Sequence, residues 1–283
     1  MKEYTLGLYE KAMPKELSWK EKLTAAREAG YDFVEISIDE TDEKLERLYM
    51  SAAERLELVR LMDEVGIPIR TMCLSGHRKY SLGSSDPELC RRGMDIMEKA
   101  IGLAEDLGIR IIQLAGYDVY YEESTEETRR RFEENLKKAV MMAAKAGVVM
   151  GFETMETEFM NTVKKAMHYV ELADSCYLNV YPDSGNITNA AVSYGTNVQE
   201  DLKSGAGHLV AIHLKETVPG KFREIPYGTG HVNFEAIVHT SWELGVRRYV
   251  TEFWYTGNPD WKKDLYAARE MMGTLLDRER GTV

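Results

Sequence analysis

The sequence predicts an α/β fold, a single (β/α)₈ TIM barrel. Short apolar runs rich in β-branched and aromatic residues recur along the chain, as expected of buried strands. Amphipathic stretches with helical periodicity lie between these runs. One run plus one stretch repeats about every 35 residues, which suits a strand, a helix and two short loops. Strict alternation predicts a parallel sheet with helices outside it, and eight repeats match a closed barrel.

The elements follow one another in a regular order. The predicted strands lie at 4–10, 33–38, 69–75, 111–116, 148–155, 177–183, 209–216 and 247–254. The predicted helices lie at 18–29, 51–65, 87–107, 125–146, 159–174, 197–204, 233–244 and 260–279. Residues suited to cap a helix N-terminus stand at Ser51, Asp86, Ser124 and Asn233. Glycines suited to end a helix in the left-handed conformation stand at 30, 66, 108, 147 and 245.

An open, doubly wound sheet also alternates strands and helices. That fold is disfavoured because no Gly-x-Gly-x-x-Gly motif follows the first strand. No linker or low-complexity stretch interrupts the chain. We therefore expect residues 1–283 to form one catalytic TIM-barrel domain.

Composition excludes several classes of protein. The net charge of −11 lacks the broad positive field that nucleic-acid binding needs, so no nucleic-acid partner is expected. No run approaches the roughly 20 apolar residues of a membrane span, and the amino terminus lacks the apolar region of a signal peptide. The three cysteines, Cys73, Cys90 and Cys176, are widely spaced. They indicate reduced thiols in a cytoplasmic protein.

The chemistry of such a barrel lies at the carboxyl ends of its strands. Four ionisable residues fall there on successive predicted strands: Glu153, Asp183, His213 and Glu252. Buried carboxylates cost several kcal/mol unless they are paired or bind a metal, and no run of arginines lies nearby to neutralise them. A divalent cation resolves this conflict. Oxygen-rich ligation with one nitrogen suits Mn²⁺, Mg²⁺, Co²⁺ or Zn²⁺.

Longer strings around these positions resemble a known family. MCLSGHRKYSLGS at 72–84, IRIIQLAGYDVYYEES at 109–124, LNVYPDSGN at 178–186 and GHLVAIHLKE at 207–216 are specific. The chain resembles the sugar-phosphate isomerases and epimerases of the xylose-isomerase-like TIM barrels. It is most similar to the 3-epimerases of L-ribulose 5-phosphate and L-xylulose 5-phosphate in L-ascorbate degradation.

The resemblance implies roles for individual residues. The family's metal ligands match Glu153, Asp183, His213 and Glu252, and its acid/base pair matches the two glutamates. The implied reaction removes the C3 proton of a ketopentose phosphate and returns a proton to the other face through an enediolate. One divalent metal ion and a homodimer or higher homo-oligomer are also implied. The predicted substrate contacts are His77, Gln113, Asn186 and Arg223, joined by Lys215 as a donor for a phosphate.

Three other functions are compatible with the same barrel. An endonuclease IV-like hydrolase would need several metals, many histidines and a basic face for DNA, which six histidines and the acidic charge disfavour. An aldose–ketose isomerase would move hydrogen between C1 and C2 instead. A non-catalytic sugar-binding barrel is disfavoured because both glutamates are present.

Overall fold

The structure, a computed structural model, describes residues 3–281 and contains an eight-stranded parallel sheet with helices around it. The predicted (β/α)₈ barrel is confirmed. The strands are β1 Thr5–Tyr9, β2 Phe33–Ile38, β3 Ile69–Leu74, β4 Ile111–Ala115, β5 Val149–Glu153, β6 Leu178–Val180, β7 Ile212–Leu214 and β8 Arg248–Thr251. The last three strands are shorter than predicted, so Asp183, Lys215 and Glu252 lie just after their strands rather than within them.

The strands are ordered β6-β5-β4-β3-β2-β1-β8-β7, so β1 to β6 pair in sequence order, β1 also pairs with β8, and β8 pairs with β7. The two ends of this order, β6 and β7, meet at a seam. Parallel bridges join Val180 to Leu209 and Asp183 to His213 there. Backbone N–H groups of Val180, Val210 and His213 donate across the seam at 2.9, 3.0 and 2.9 Å. All carboxyl ends therefore face one rim of a closed barrel.

The helices cover the outside of the sheet. They are α1 Trp19–Glu28, α2 Asp42–Glu46, α3 Ala52–Val65, α4 Pro87–Leu107, α5 Glu126–Ala146, α6 Val163–Ala173, α7 Ser184–Tyr194, α8 Val198–Lys203, α9 Phe234–Glu243 and α10 Trp261–Arg280. The sequence did not predict α2 or α7. The first is five residues long, and the second, SGNITNAAVSY, has no charged residue to mark a solvent face. Within residues 3–281, no helix has the length and apolarity to cross a bilayer.

Local signals set most helix ends. The predicted N-caps Ser51, Asp86 and Asn233 are confirmed, because each side chain accepts a backbone N–H of the first turn. The cap predicted at Ser124 is wrong by one residue. Thr125 caps α5, while the Ser124 hydroxyl donates to Asp118 Oδ2 at 2.8 Å. The five predicted glycine stops all have positive φ.

The core has two layers. Most buried apolar side chains lie between the sheet and the helices. A smaller cluster fills the barrel itself, with one residue at nearly every strand: Tyr9, Phe33, Cys73, Ile111, Tyr181, Ala211 and Val250. Gly7 makes room for this layer, since a Cβ there would lie 2.3 Å from the Phe33 ring. The filled interior closes the barrel below the rim. That residues 1–283 form a single catalytic domain stays a prediction.

Candidate metal centre

The structure brings the four predicted ligands together at the rim. Glu153 ends β5, Asp183 caps α7 just after β6, His213 is central in β7, and Glu252 directly follows β8. One ligand atom from each residue lies within 4.8 Å of the others. All four side chains are buried. We call these residues the carboxylate–histidine cluster.

The atoms of this cluster fit a divalent cation. Asp183 Oδ2 is buried and has no hydrogen-bond partner among the residues that the structure describes. Glu252 Oε2 also makes no hydrogen bond within that part of the chain, although His213 Nδ1 lies 3.0 Å away. Buried oxygens in this state cost free energy unless a donor or a cation meets them. Three carboxylates and one imidazole nitrogen suit Mn²⁺, Mg²⁺, Co²⁺ or Zn²⁺.

Lys215 brings a positive charge to the cluster. Its Nζ lies 3.0 Å from Asp183 Oδ1 and 3.9 Å from Glu252 Oε2. It also donates to Asn186 Oδ1 at 2.9 Å, and its side chain is 5% exposed. Burial alone would lower the pKa of Lys215, but Asp183 and then Glu252 outweigh burial and raise the pKa above its usual value. Lys215 therefore remains a fixed cation beside the carboxylates.

The carboxylates differ in their proton affinity. Burial raises the pKa of Asp183 well above its usual range. Burial acts on Glu252 in the same direction, but Lys215 and then His213 outweigh it and lower the pKa of Glu252. Burial alone would lower the pKa of His213, but Glu35 and then Glu252 raise it well above the usual value. Asp183 thus holds a proton more readily than Glu252 does.

A carboxylate that the sequence analysis missed lies behind His213. Glu35 of β2 is fully buried, and its Oε1 lies 2.6 Å from His213 Nε2. The Tyr181 hydroxyl donates to Glu35 Oε2 at 3.0 Å. The signal was present, because Glu35 interrupts the apolar run FVEISI. Because Glu35 lies inside β2 rather than at its carboxyl end, its position did not mark it as part of the site.

A cavity lies beside the cluster, and Glu153 and Glu252 are among the residues that line it. Three of the five predicted substrate contacts, Asn186, Lys215 and Arg223, line it. The other two lie elsewhere. The Gln113 amide donates to Glu153 Oε2, and His77 Nε2 donates to the Gly93 carbonyl at 3.0 Å. The sequence analysis also missed cavity-lining residues, among them Lys11, Glu156 and Trp254.

Two guanidinium groups, those of Arg78 and Arg223, line this cavity. The Arg78 guanidinium lies 5.7 and 5.1 Å from the ring centroids of Tyr117 and Tyr120. Its Nε is buried without a hydrogen-bond partner in residues 3–281. Glu156 accepts from the Tyr117 hydroxyl at 2.6 Å and lies 3.8 Å from Arg223 Nη2. Aromatic faces and one carboxylate thus hold two guanidinium groups beside the cavity.

Known proteins share this architecture. The Xylose isomerase-like TIM barrel family matches residues 23–272. The L-ribulose-5-phosphate 3-epimerase UlaE of Shigella sonnei (strain Ss046) is 44% identical over 283 residues, which cover 100% of this chain and 98% of that protein. The protein of the same name from Escherichia coli O139:H28 (strain E24377A / ETEC) is 44% identical over 270 residues, 95% of this chain and 94% of its own length.

Solved structures show the same fold at lower identity. A structure of L-ribulose 3-epimerase has a TM-score of 0.77 at 18% identity, covering 99% of this chain and 96% of the other. The D-psicose 3-epimerase of Clostridium cellulolyticum H10, with D-tagatose, has a TM-score of 0.77 at 17% identity, covering 96% of this chain and 99% of the other. The chain therefore belongs to the xylose isomerase-like TIM barrel family and, like its relatives named as epimerases, is an isomerase, as the sequence predicted.

Proposed function

We propose that the protein is a metal-dependent 3-epimerase of a ketopentose phosphate, with L-ribulose 5-phosphate and L-xylulose 5-phosphate as its two epimers. One observation carries the proposal. Glu153 Oε1, at the end of β5, and Glu252 Oε2, just after β8, lie 3.4 and 3.0 Å from the same atom, His213 Nδ1. Two carboxyl groups around one point suit a reaction that removes a proton from one face of a carbon and adds one to the other.

A divalent ion held by Glu153, Asp183, His213 and Glu252 would act as a Lewis acid, which lowers the cost of charge developing on the ketose oxygens. The protein's own residues carry the proton. One of Glu153 and Glu252, ionised, takes the C3 proton and leaves an enediolate. The other, protonated, returns a proton to the opposite face. Gln113 holds the Glu153 carboxylate in place through its hydrogen bond to Oε2.

The substrate contacts divide along the cavity. Lys215 and Asn186, joined by a 2.9 Å hydrogen bond beside the cluster, suit the hydroxyl and carbonyl oxygens of the sugar. Arg223 and Arg78 line the same cavity and suit the phosphate, since guanidinium groups pair well with phosphate oxygens. His77 does not line the cavity. Its ring donates to the Gly93 carbonyl and so holds the short turn Gly76–Arg78, which carries Arg78, against α4.

Deuterium exchange tests the proposed reaction. The protein, loaded with Zn²⁺, Mn²⁺, Co²⁺ or Mg²⁺ in turn, is offered L-ribulose 5-phosphate in D₂O and followed by NMR. We expect deuterium at C3 and formation of L-xylulose 5-phosphate. Deuterium at C1 or C2 with an aldose product would identify the aldose–ketose isomerase instead. Full activity after verified removal of all metal would contradict metal dependence.

A variant tests the phosphate assignment. Arg78→Met should lower kcat/KM for the phosphorylated ketose by about 10- to 100-fold, the worth of one charged hydrogen bond. It should leave the slower turnover of the unphosphorylated ketose nearly unchanged. An equal loss for both substrates would argue against a phosphate contact. A role in L-ascorbate degradation, a cytoplasmic location and a homodimer or higher assembly stay predictions.

A further inference from the structure

Glu35 is a buried carboxylate that the proposed reaction does not use. It is fully buried inside the barrel, and its oxygens meet His213 Nε2 at 2.6 Å and the Tyr181 hydroxyl at 3.0 Å. Its strand pairing is also irregular, because the register between β2 and β3 shifts between Val34 and Glu35. Such shifts often redirect a side chain. Glu35 thus reaches across the barrel from β2 to residues at β6 and β7.

The two nitrogens of His213 face different partners. Nε2 faces Glu35, whereas Nδ1 lies 3.0 Å from Glu252 Oε2 and 3.4 Å from Glu153 Oε1. A carboxylate oxygen accepts hydrogen bonds, so the Nε2 that lies 2.6 Å from Glu35 Oε1 donates there and carries the proton. A neutral ring then has its lone pair on Nδ1, directed at the carboxylate–histidine cluster. The opposite tautomer would place two lone pairs face to face at Nε2.

A carboxylate at position 35 restricts His213 to one tautomer, which an amide would not do. Glutamine at position 35 could also satisfy both His213 and Tyr181, without the cost of a buried charge. However, its amide could turn and donate to Nε2, which would put the ring proton on Nδ1. Only an acceptor excludes that state. The costly group is therefore the one that selects a single tautomer.

We propose that Glu35 is a positioning residue for His213 and fixes the imidazole tautomer whose Nδ1 binds the metal ion. A carboxylate behind a metal-binding histidine commonly orients the ring and strengthens it as a ligand. The inference rests on the proposed metal centre. It concerns ion binding, so it can be tested without turnover.

The test compares Glu35→Gln with Tyr181→Phe, which removes the other donor to Glu35 and leaves the Glu35–His213 contact. Zn²⁺ affinity is measured by competition with a chelator, and thermal unfolding is measured on the metal-free proteins. Glu35→Gln should lower Zn²⁺ affinity by about 10- to 100-fold without lowering the unfolding temperature. Tyr181→Phe should keep the wild-type Zn²⁺ affinity. A purely structural role would reverse this pattern and lower the stability of Glu35→Gln while its affinity stayed the same.

The failures can be told apart. If the wild type is active and Glu35→Gln binds Zn²⁺ as tightly as the wild type does, this inference alone is wrong. An equal loss of Zn²⁺ affinity in Glu35→Gln and Tyr181→Phe would also overturn it. A wild type that binds none of the four metals would overturn the proposed centre as well. A measurement on the wild type needs no variant at position 35. Nitrogen-15 spectra of the Zn²⁺-bound protein, assigned with His213→Gln, should show the His213 proton on Nε2, and a proton on Nδ1 would overturn the assignment.

Discussion

Replacing Lys215 with methionine should destabilise the metal-free protein strongly. The side chain is 5% exposed, and its Nζ lies 3.0 Å from Asp183 Oδ1. Methionine fills similar space but leaves the Asp183 carboxylate without its cation and removes one of the two positive groups beside Glu252. Removing one partner of a buried ion pair costs about 3 to 5 kcal/mol. We expect about 3 kcal/mol, the lower end, because Asp183, whose pKa burial already raises, can take up a proton.

That loss corresponds to a fall in unfolding temperature of roughly 6 to 12 °C for a chain of this size. Circular dichroism of chelator-treated protein measures it. The matched control is Lys203→Met, since Lys203 pairs with Glu200 at 2.8 Å with both side chains more than half exposed. The control should lose at most about 1 kcal/mol.

Adding a divalent metal should then restore stability to Lys215→Met. An ion at a hundredfold excess over its Kd contributes about 2.7 kcal/mol, and in the variant it replaces a charge that the carboxylates have lost. Equal unfolding temperatures for Lys215→Met and Lys203→Met, both metal-free, would refute the reasoning.

Three further outcomes are expected. Glu153→Gln and Glu252→Gln should each slow epimerisation by about 10²–10⁴-fold. Each variant should still exchange the C3 proton of one epimer with solvent, and the two variants should differ in which epimer that is. A variant that epimerises at the wild-type rate would exclude its residue from the acid/base pair. Burial lowers the pKa of His77 to about 4, so below about pH 6.5 the unfolded chain takes up a proton that the folded protein does not. Urea unfolding should therefore show about 3 kcal/mol of stability lost as pH falls from about 6.5 to 4. His77→Gln should lack this loss, and a variant with the same pH profile as the wild type would contradict the prediction. Gly230→Ala should lower the unfolding temperature, because a Cβ there would lie 2.2 Å from a backbone oxygen. Gly102→Ala, where a Cβ meets nothing within 4 Å, should not lower it.

Much of the cluster was predictable because charge in an apolar run is conspicuous. Glu153, His213 and Glu252 each interrupt such a run, and the barrel order brings the ends of adjacent strands together. Asp183 was predicted as a ligand on a strand. The structure places it at the start of α7, where its Oδ1 accepts the Asn186 backbone N–H at 2.7 Å.

Other features depended on geometry that periodicity does not encode. His77 lies in a short 3₁₀ turn, Gly76–Arg78, which directs its ring toward Gly93 of α4. Helix α7 is buried over most of its length, so it lacks the alternation of polar and apolar faces that marks surface helices. Glu35 lies inside β2 rather than at its carboxyl end, and its partner His213 is 178 residues away along the chain. Such pairings become visible only when the barrel is closed.

The seam of the barrel has a mechanical consequence. Between β4 and β5 the register pairs five consecutive residues, whereas β6 and β7 meet through isolated bridges. The cluster spans this less extensively paired edge, with Glu153 and Asp183 on one side and His213 and Glu252 on the other. An ion bound by both sides would hold the two strands together. Amide hydrogen exchange near Val180 and His213 should therefore slow on metal binding, while exchange on the far side of the barrel stays the same.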